Sequence, residues 1–461
     1  MRQLFGTDGI RGAAGEYPLD RATTFAAGVA LGEWVRSGAG PCPADHGGAG
    51  PCPADQVVIG PEVVIGMDTR ESGPWIAEHV AGGLARSGVR TRFAGRITTP
   101  GIAHATRTGP FAAGVMISAS HNPYQDNGIK IIDHSGFKLP DEQEHALERG
   151  IFAFLEMGEA PAPIRLEIDE GLDREYIEWL AATLPGDISG LRVVVDAANG
   201  AASELGPALF TRLGAVVDCI GCSPDGRNIN LNCGSLHLEG LRARVLETGA
   251  DLGIAFDGDA DRALFVSHSG KIVDGDAVML LCALPLHARG RLREVIATVM
   301  SNLGLERALA RHGIALVRTP VGDKYVLEEM VKRGAPLGGE QSGHVIFRDY
   351  ATTGDGLLTA LRVIEVMRES GRDLDQLTAE IEIYPQRLVN VRVKQKRPLA
   401  ELAKANAEIR RAESEFGDAG RVLVRFSGTE PLARVMVEGP DLNRVEHFAQ
   451  SIADSIRQEL G

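Results

Sequence analysis

One layout recurs three times along the chain and limits what it can fold into. Each copy has an apolar, β-branched run, a break, a helical pattern, then Arg-x-Gly and a second apolar run. The copies are VVIGMDTRESGPWIAEHVAGGLARSGVRTRFAG from Val63, RVVVDAANGAASELGPALFTRLGAVVDCIG from Arg192 and VIATVMSNLGLERALARHGIALVRTPVG from Val295. Continuous apolar runs flanking a helix are the mark of strands buried on both faces. Gly88, Gly214 and Gly313 close the helical stretch at the same place in each copy, where a helix C-terminus favours glycine. The chain is therefore expected to build three related α/β units with mixed sheets.

The tail breaks this pattern. From about Pro385 it reads strand (RLVNVRV), helix (LAELAKANAEIRRAESEF), two strands joined by a short turn (RVLVRFS, ARVMVEG) and helix (LNRVEHFAQSIADSIRQEL). Adjacent strands with segregated helices predict a smaller α+β domain. A length of 461 residues suits about three or four domains, and the boundaries are expected at 1–170, 171–275, 276–383 and 384–461.

Composition narrows the function classes. A net charge of −14 argues against nucleic acid as a partner and requires a local basic pocket for any anionic substrate. No apolar run is long enough to span a bilayer, and MRQLFGTDGIRG lacks a secretory h-region, so a cytoplasmic protein is expected. Cys219, Cys222, Cys233 and His237 imitate a zinc pattern, but an apolar strand end followed by an Asn- and Gly-rich loop is the preferred reading. The tandem GAGPCPAD segments at Gly38–Asp45 and Gly48–Asp55 read as a surface connection without chemistry, Cys42 and Cys52 included.

AFDGDADR carries the sharpest metal signal. Asp257, Asp259 and Asp261 alternate with small residues after the apolar LGIAF, so in extended or loop backbone the three carboxylates converge. Oxygen-only donors suit magnesium or calcium. An EF-hand is excluded, because Arg262 and His268 stand where its loop needs glycine and glutamate. In ISASHNPYQDNGIK, Ser120 precedes His121 in a polar loop that follows the strand-like AAGVMI and carries Lys130, a cation and proton-transfer candidate. No G-x-S-x-G elbow surrounds Ser120. A turn serine is the plain alternative. A phosphate on Ser120 would be within reach of a metal on the aspartates.

Four further loops present polar groups between glycines. GGEQSGH offers Glu340, Ser342 and His344 at alternating positions, a pattern suited to sugar hydroxyls. RFSGTEPLAR offers Ser427, Gly428 and Thr429 between Arg425 and Arg434, which matches a phosphate nest. FGTDGIRG carries Thr7 and Arg11. TPVGDKY places Asp323 and Lys324 at a helix start, where anions bind.

Together, FGTDGIRG, SASHNP with DNGIK, DGDADR, GEQSGH and RFSGTEP resemble the α-D-phosphohexomutase family, in the family's order and across nearly the whole chain. TPVGDKYVLEEM and SGTEPLARVMVEG look like its glucosamine-phosphate branch. The resemblance implies four domains around a central cleft. It implies a phosphoserine at Ser120, bridged to Mg²⁺ on Asp257, Asp259 and Asp261. Arg262, His121 and Lys130 would attend the phosphate or move a proton. Glu340, Ser342 and His344 would hold the sugar, with Thr7, Arg11, Asp323 and Lys324 beside it. Arg425, Ser427, Gly428, Thr429 and Arg434 would grip the distal phosphate. The implied reaction interconverts glucosamine 6-phosphate and glucosamine 1-phosphate through a bound glucosamine 1,6-bisphosphate, which also serves as activator, and feeds UDP-N-acetylglucosamine and cell-wall precursor synthesis. Positioning and charge neutralisation are what phosphoryl transfer requires. The implied partners are small sugar phosphates, in a monomer or homodimer with no nucleic acid or membrane. One departure is Ala260, where many relatives have glycine; its small size predicts little effect. The rival readings are glucose- or mannose-phosphate mutase activity, an inactive sugar-phosphate binder, and a serine phosphatase of the alkaline phosphatase type. The last needs histidine-rich metal sites that the Asp257–Asp261 segment lacks.

Overall fold

The computed structural model of the chain describes residues 4–6, 8–38, 61–427 and 431–461. Thr7, Gly428, Thr429, Cys42, Cys52 and all of the GAGPCPAD tandem except Gly38 lie outside the described residues. Two compact units result, one made of Met1–Val299 with Leu316–Thr378 and the other of Met300–Ala315 with Ala379–Gly461.

The first unit holds three mixed sheets. In the first, the order is Phe5–Gly6, Gly9–Ala13, Asp126–Asp133, Ala113–Ile117, Glu62–Met67 and Arg90–Arg96. Its last three strands are parallel and the rest antiparallel. The second runs Ile272–Val273, Ala263–Ser267, Leu252–Phe256, Arg192–Asp196 and Val216–Ile220. The third runs Ala315–Thr319, Glu294–Thr298, Leu337–Gly339 and Val345–Phe347.

Each repeated segment forms the strand–helix–strand order that its pattern implies. The helices are Gly73–Arg86, Ala202–Arg212 and Leu303–Arg311. Gly88, Gly214 and Gly313 each follow one of them by two residues and take φ of 74°, 91° and 71°. That left-handed turn is nearly free of cost only for glycine. The central strands are buried on both faces: Val63, Val64, Ile65, Val193, Val194, Val195, Val295 and Ile296 are all buried. Helices Arg21–Arg36, Gly73–Arg86 and Asp141–Glu156 cover one side of the first sheet through a core that includes Phe25, Leu31, Ile76, Leu84, Ile151 and Phe154.

In the second unit, strands Gln386–Arg392, Leu432–Glu438 and Arg421–Phe426 pair antiparallel in that order. Helix Leu442–Leu460 covers them with Val445, Phe448, Ala449, Ile452, Ile456 and Leu460, one buried helical stripe. Asp441 caps it by accepting from the Arg444 N–H at 2.9 Å. The helix Leu303–Arg311 belongs to this unit, where the Leu303 N–H donates to the Glu438 carboxylate at 2.9 Å. Among the described residues no helix is long and apolar enough to cross a membrane.

Candidate active site

Three motif loops leave the carboxyl ends of strands in the first unit: Ser118–Pro123 after Ala113–Ile117, Asp257–Arg262 after Leu252–Phe256, and Glu340–His344 after Leu337–Gly339. The carboxyl ends of strands are where open α/β sheets place their sites. The Ser120 loop and the aspartate loop meet directly. Ser120 is 2% exposed, and its Oγ donates to Asp257 Oδ2 at 2.6 Å. Its φ of 52° is left-handed, a conformation that costs a non-glycine residue on the order of 1–3 kcal/mol. The His121 Nδ1 lies 3.4 Å from the same Oγ, so these adjacent side chains do meet.

Asp257, Asp259 and Asp261 are buried, and one carboxylate oxygen from each falls within 4.8 Å of the others. Oδ1 of Asp259 and Oδ1 of Asp261 are buried without a hydrogen-bond partner. Buried carboxylate oxygens without donors are costly, and a divalent cation would satisfy them. The donor set therefore fits the implied hard cation.

The electrostatics are dominated by alternating charges. Lys130 is 1% exposed and its Nζ lies 2.6 Å from Asp259, 3.3 Å from Asp8 and 3.9 Å from Asp261. Burial alone would depress its ammonium, but these carboxylates outweigh burial and raise it above the ordinary lysine value. Asp257 moves the other way: burial, then Asp261 and Asp259, push its carboxyl well up. For Asp261 burial is outweighed by His344, Lys130 and Arg262, and the net shift is downward. Arg262 stays charged because Asp257 and Asp261 more than offset its burial. Burial together with Arg262 and Arg11 brings His121 down to about 4, so its ring is neutral at pH 7.

The chain of charges continues through Asp8 and Lys138, two residues that the motif analysis did not single out. Lys138 Nζ bridges Asp8 at 2.5 Å and Asp323 at 2.6 Å. Asp8 also pairs with Arg11. His344 lies 3.5 Å from Asp261 and 3.7 Å from Asp323, closing the circuit. Asp8 was within reach of sequence reading, since it sits inside FGTDGIRG. Lys138, in SGFKLP, carries no local signal.

Other expected residues fall as follows. Lys130 lies in strand Asp126–Asp133, not in the loop that the sequence suggests. Phe5–Gly6 and Gly9–Ala13 make a hairpin, with Arg11 on the second strand. Glu340 Oε1 accepts from the Gly322 N–H at 3.1 Å, and Ser342 Oγ donates to Oε2 at 3.4 Å, which ties GGEQSGH to the start of helix Asp323–Arg333. Lys324, at the start of that helix, pairs with Asp141. In the second unit, Arg425 and Arg434 are cross-strand partners. Like charges held directly opposite are unfavourable without an anion, and burial and then Arg434 depress the Arg425 guanidinium. Ser427 is buried, and Lys396 donates to its carbonyl at 2.5 Å. Cys219, Cys222 and Cys233 are free thiols raised by burial, and among the described residues the potential metal clusters are Asp257/Asp259/Asp261 and His268/Asp373/Asp375.

Comparison with known proteins agrees with this arrangement. Family profiles described as phosphoglucomutase/phosphomannomutase alpha/beta/alpha domains I, II and III match residues 54–156, 174–270 and 274–384, and that of the C-terminal domain matches 388–455. The chain is 59% identical to phosphoglucosamine mutase of Solibacter usitatus over 100% of this chain and 99% of that one. It is 49% identical to the protein of the same name from Koribacter versatilis, over 100% and 98%. A phosphoglucomutase/phosphomannomutase family protein from Burkholderia thailandensis has the same fold, with a TM-score of 0.78 at 24% identity over 99% of this chain and 98% of that one. So does Aspergillus fumigatus N-acetylphosphoglucosamine mutase, solved with GlcNAc-6P and magnesium, with a TM-score of 0.67 at 17% identity over 100% and 96%. The chain is a mutase enzyme and belongs to the α-D-phosphohexomutase family, alongside the bacterial phosphoglucosamine mutases.

Proposed function

We propose that the chain interconverts glucosamine 6-phosphate and glucosamine 1-phosphate, with Ser120 as phosphoryl carrier and glucosamine 1,6-bisphosphate as both intermediate and activator. The observation that carries this reading is the junction of Ser120 Oγ with Asp257 at 2.6 Å, inside a buried cluster of three aspartates ringed by Lys130, Arg262 and His344. A hydroxyl so placed can carry a phosphate whose charge a cation on the aspartates, together with Arg262 and Lys130, would balance. The names of the relatives at 59% and 49% identity support glucosamine phosphate as substrate.

Asp257, Asp259, Asp261 and the oxygen on Ser120 would hold Mg²⁺. When bound, Mg²⁺ would draw negative charge from a phosphoryl oxygen. Lys130, locked among Asp259, Asp8 and Asp261, contributes a fixed positive charge. His121, neutral and 3.4 Å from Ser120 Oγ, is the better placed of the two candidates to accept a proton. Arg262 provides a second fixed cation. Glu340 and Ser342, with His344 beneath them, take the sugar hydroxyls, and Asp323, Arg11 and Thr7 flank them. Arg425, Ser427, Gly428, Thr429 and Arg434 hold phosphoryl oxygens by charge-assisted hydrogen bonds. The product would enter UDP-N-acetylglucosamine and cell-wall precursor synthesis in the cytoplasm.

The test is a magnesium-supplemented mutase assay with a trace of sugar 1,6-bisphosphate, comparing glucosamine, glucose and mannose phosphates. The expected result is a kcat/KM at least tenfold higher for glucosamine phosphate. Preference for glucose or mannose phosphate would overturn the substrate assignment. Asp259→Asn is expected to raise the magnesium half-saturation concentration at least tenfold, and an unchanged titration would remove that residue from the metal site. Arg425→Ala is expected to raise KM with little change in kcat, whereas an unaltered KM would contradict the phosphate role of its loop.

A further inference from the structure

Ser120 sits in a left-handed conformation, and both polar groups of its backbone are held by side chains: Ser118 from its own loop, and Arg70 and Asn230 from outside the motifs that define the site. Its N–H donates to Ser118 Oγ at 2.9 Å. Ser118 Oγ in turn donates to Asp68 Oδ2 at 2.6 Å. Asp68 pairs with Arg70, and both side chains are wholly buried. Arg70 Nη2 then returns to the Ser120 carbonyl at 3.2 Å and to the Asn122 carbonyl at 2.5 Å, while its Nε donates to the Asp126 carbonyl at 2.7 Å. The result is a closed loop of hydrogen bonds that starts at the N–H of Ser120 and ends at its own C=O.

A second clamp comes from the loop that follows strand Val216–Ile220. Asn230 Nδ2 donates to the Ser120 carbonyl at 3.0 Å and to the Asn122 carbonyl at 3.1 Å. The carbonyl is also pressed against Gly258, where an added Cβ would meet the Ser120 oxygen at 2.5 Å. The Asp257 carboxylate that receives Ser120 Oγ is next to Gly258 in the chain, so one contact sets the height of the serine relative to the aspartates.

We infer that Arg70, Asp68, Ser118 and Asn230 are positioning residues that over-determine the strained backbone of Ser120 and so aim its Oγ at the aspartate cluster. This rests on Ser120 being the phosphoryl carrier. Asp68 and Arg70 are sealed from solvent, and Ser118 is buried with them. Their effect would fall on the phosphoryl-transfer step rather than on substrate capture. Strained residues persist where the surroundings leave them no alternative, and small misplacements of a reacting atom carry large rate penalties.

The decisive variants avoid breaking the buried ion pair. Asn230→Asp keeps shape and tolerance of a left-handed backbone but replaces the donor with an acceptor. Ser118→Ala removes the acceptor of the Ser120 N–H. Each is assayed in the full-length enzyme for kcat, for KM of glucosamine 6-phosphate, for magnesium half-saturation and for thermal midpoint. Asn230→Gly serves as a third variant that removes the donor without adding charge. The expected result is a fall in kcat of at least tenfold in all three, with KM and magnesium half-saturation within twofold of wild type. Wild-type kcat in Asn230→Asp and Ser118→Ala would overturn the inference. So would a parallel worsening of kcat and KM accompanied by a drop in thermal midpoint, since that is the signature of a general structural role. Failure of the underlying reading looks different: either wild type does not turn over hexosamine phosphates, or Ser120→Ala turns over as wild type does.

Discussion

Ala260 takes a φ of 55° in the middle of the aspartate loop, where the Asp257 carbonyl accepts from its N–H at 3.0 Å. A non-glycine residue in that conformation costs about 1–2 kcal/mol, partly offset by the roughly 0.5–1 kcal/mol of extra chain entropy that glycine would lose on folding. Ala260→Gly is therefore expected to raise stability by up to about 1 kcal/mol and to leave kcat within twofold. Thermal unfolding checks this, and a lowered midpoint would contradict it. The small volume of alanine points to little effect, because the cost lies in a backbone angle that residue type alone does not reveal. The same limit applies around Ser120. Its chemistry is legible in ISASHNP and DGDADR, whereas the side chains that hold it come from 50 and 110 residues away, at Arg70 and Asn230. Arg70 does have a weak local signal, since it follows an apolar strand at its carboxyl end, and a charged residue there that is 1% exposed must be paired.

Among the elements, the helix-ending glycines separate conformational cost from crowding. An added Cβ at Gly313 meets nothing within 4 Å, while one at Gly214 meets Ser189 Oγ at 2.6 Å and its Cα at 3.3 Å. Gly313→Ala should cost about 1 kcal/mol from the left-handed backbone alone. Gly214→Ala should cost measurably more, because Ser189 must also move. Chemical denaturation of the two variants tests the ordering, and equal losses would contradict it. The repeated strand–helix–strand segments were readable because periodicity, the helix end and the second apolar run all agree. Strand Asp126–Asp133 was harder: Asn127 and Gly128 look like a turn. In the structure they serve a close approach, since a Cβ at Gly128 would meet the Ser118 carbonyl at 2.6 Å. Asn127 donates to Ser72 Oγ at 2.9 Å. Glycine inside a strand often marks such backbone contact.

At the scale of the whole molecule, a chain with net charge −14 keeps a partly buried circuit of alternating charges running Asp259, Lys130, Asp8, Lys138, Asp323, His344 and Asp261. Composition could not reveal that circuit, because its members are scattered from residue 8 to residue 344. Stability should also respond to a buried acid away from it. Asp355 accepts from Tyr176 Oη at 2.8 Å and from the Leu358 N–H at 3.0 Å, tying helix Gly171–Thr183 to helix Gly356–Ser370. Burial nevertheless pushes its carboxyl up from 3.8 to about 6. A carboxyl raised in the folded state stabilises most at low pH, and that contribution is lost as pH rises from about 4 to about 6. Asp355→Asn keeps the helix cap and removes the titration. Wild type should therefore lose about 3 kcal/mol relative to Asp355→Asn across that window, at about 1.4 kcal/mol per unit. Denaturation of both proteins at each pH measures it, and a constant difference would contradict the assignment.

The central claim is that Ser120 carries the phosphoryl group, and the most direct measurement follows that group. The enzyme is incubated with isotopically labelled glucosamine 1,6-bisphosphate and magnesium, then digested and analysed by mass spectrometry, with and without a chase of glucosamine 6-phosphate. The account predicts label on the peptide containing Ser120, its loss to the sugar during the chase, and no label or turnover in Ser120→Ala. Label on another residue, or full turnover in Ser120→Ala, would contradict it.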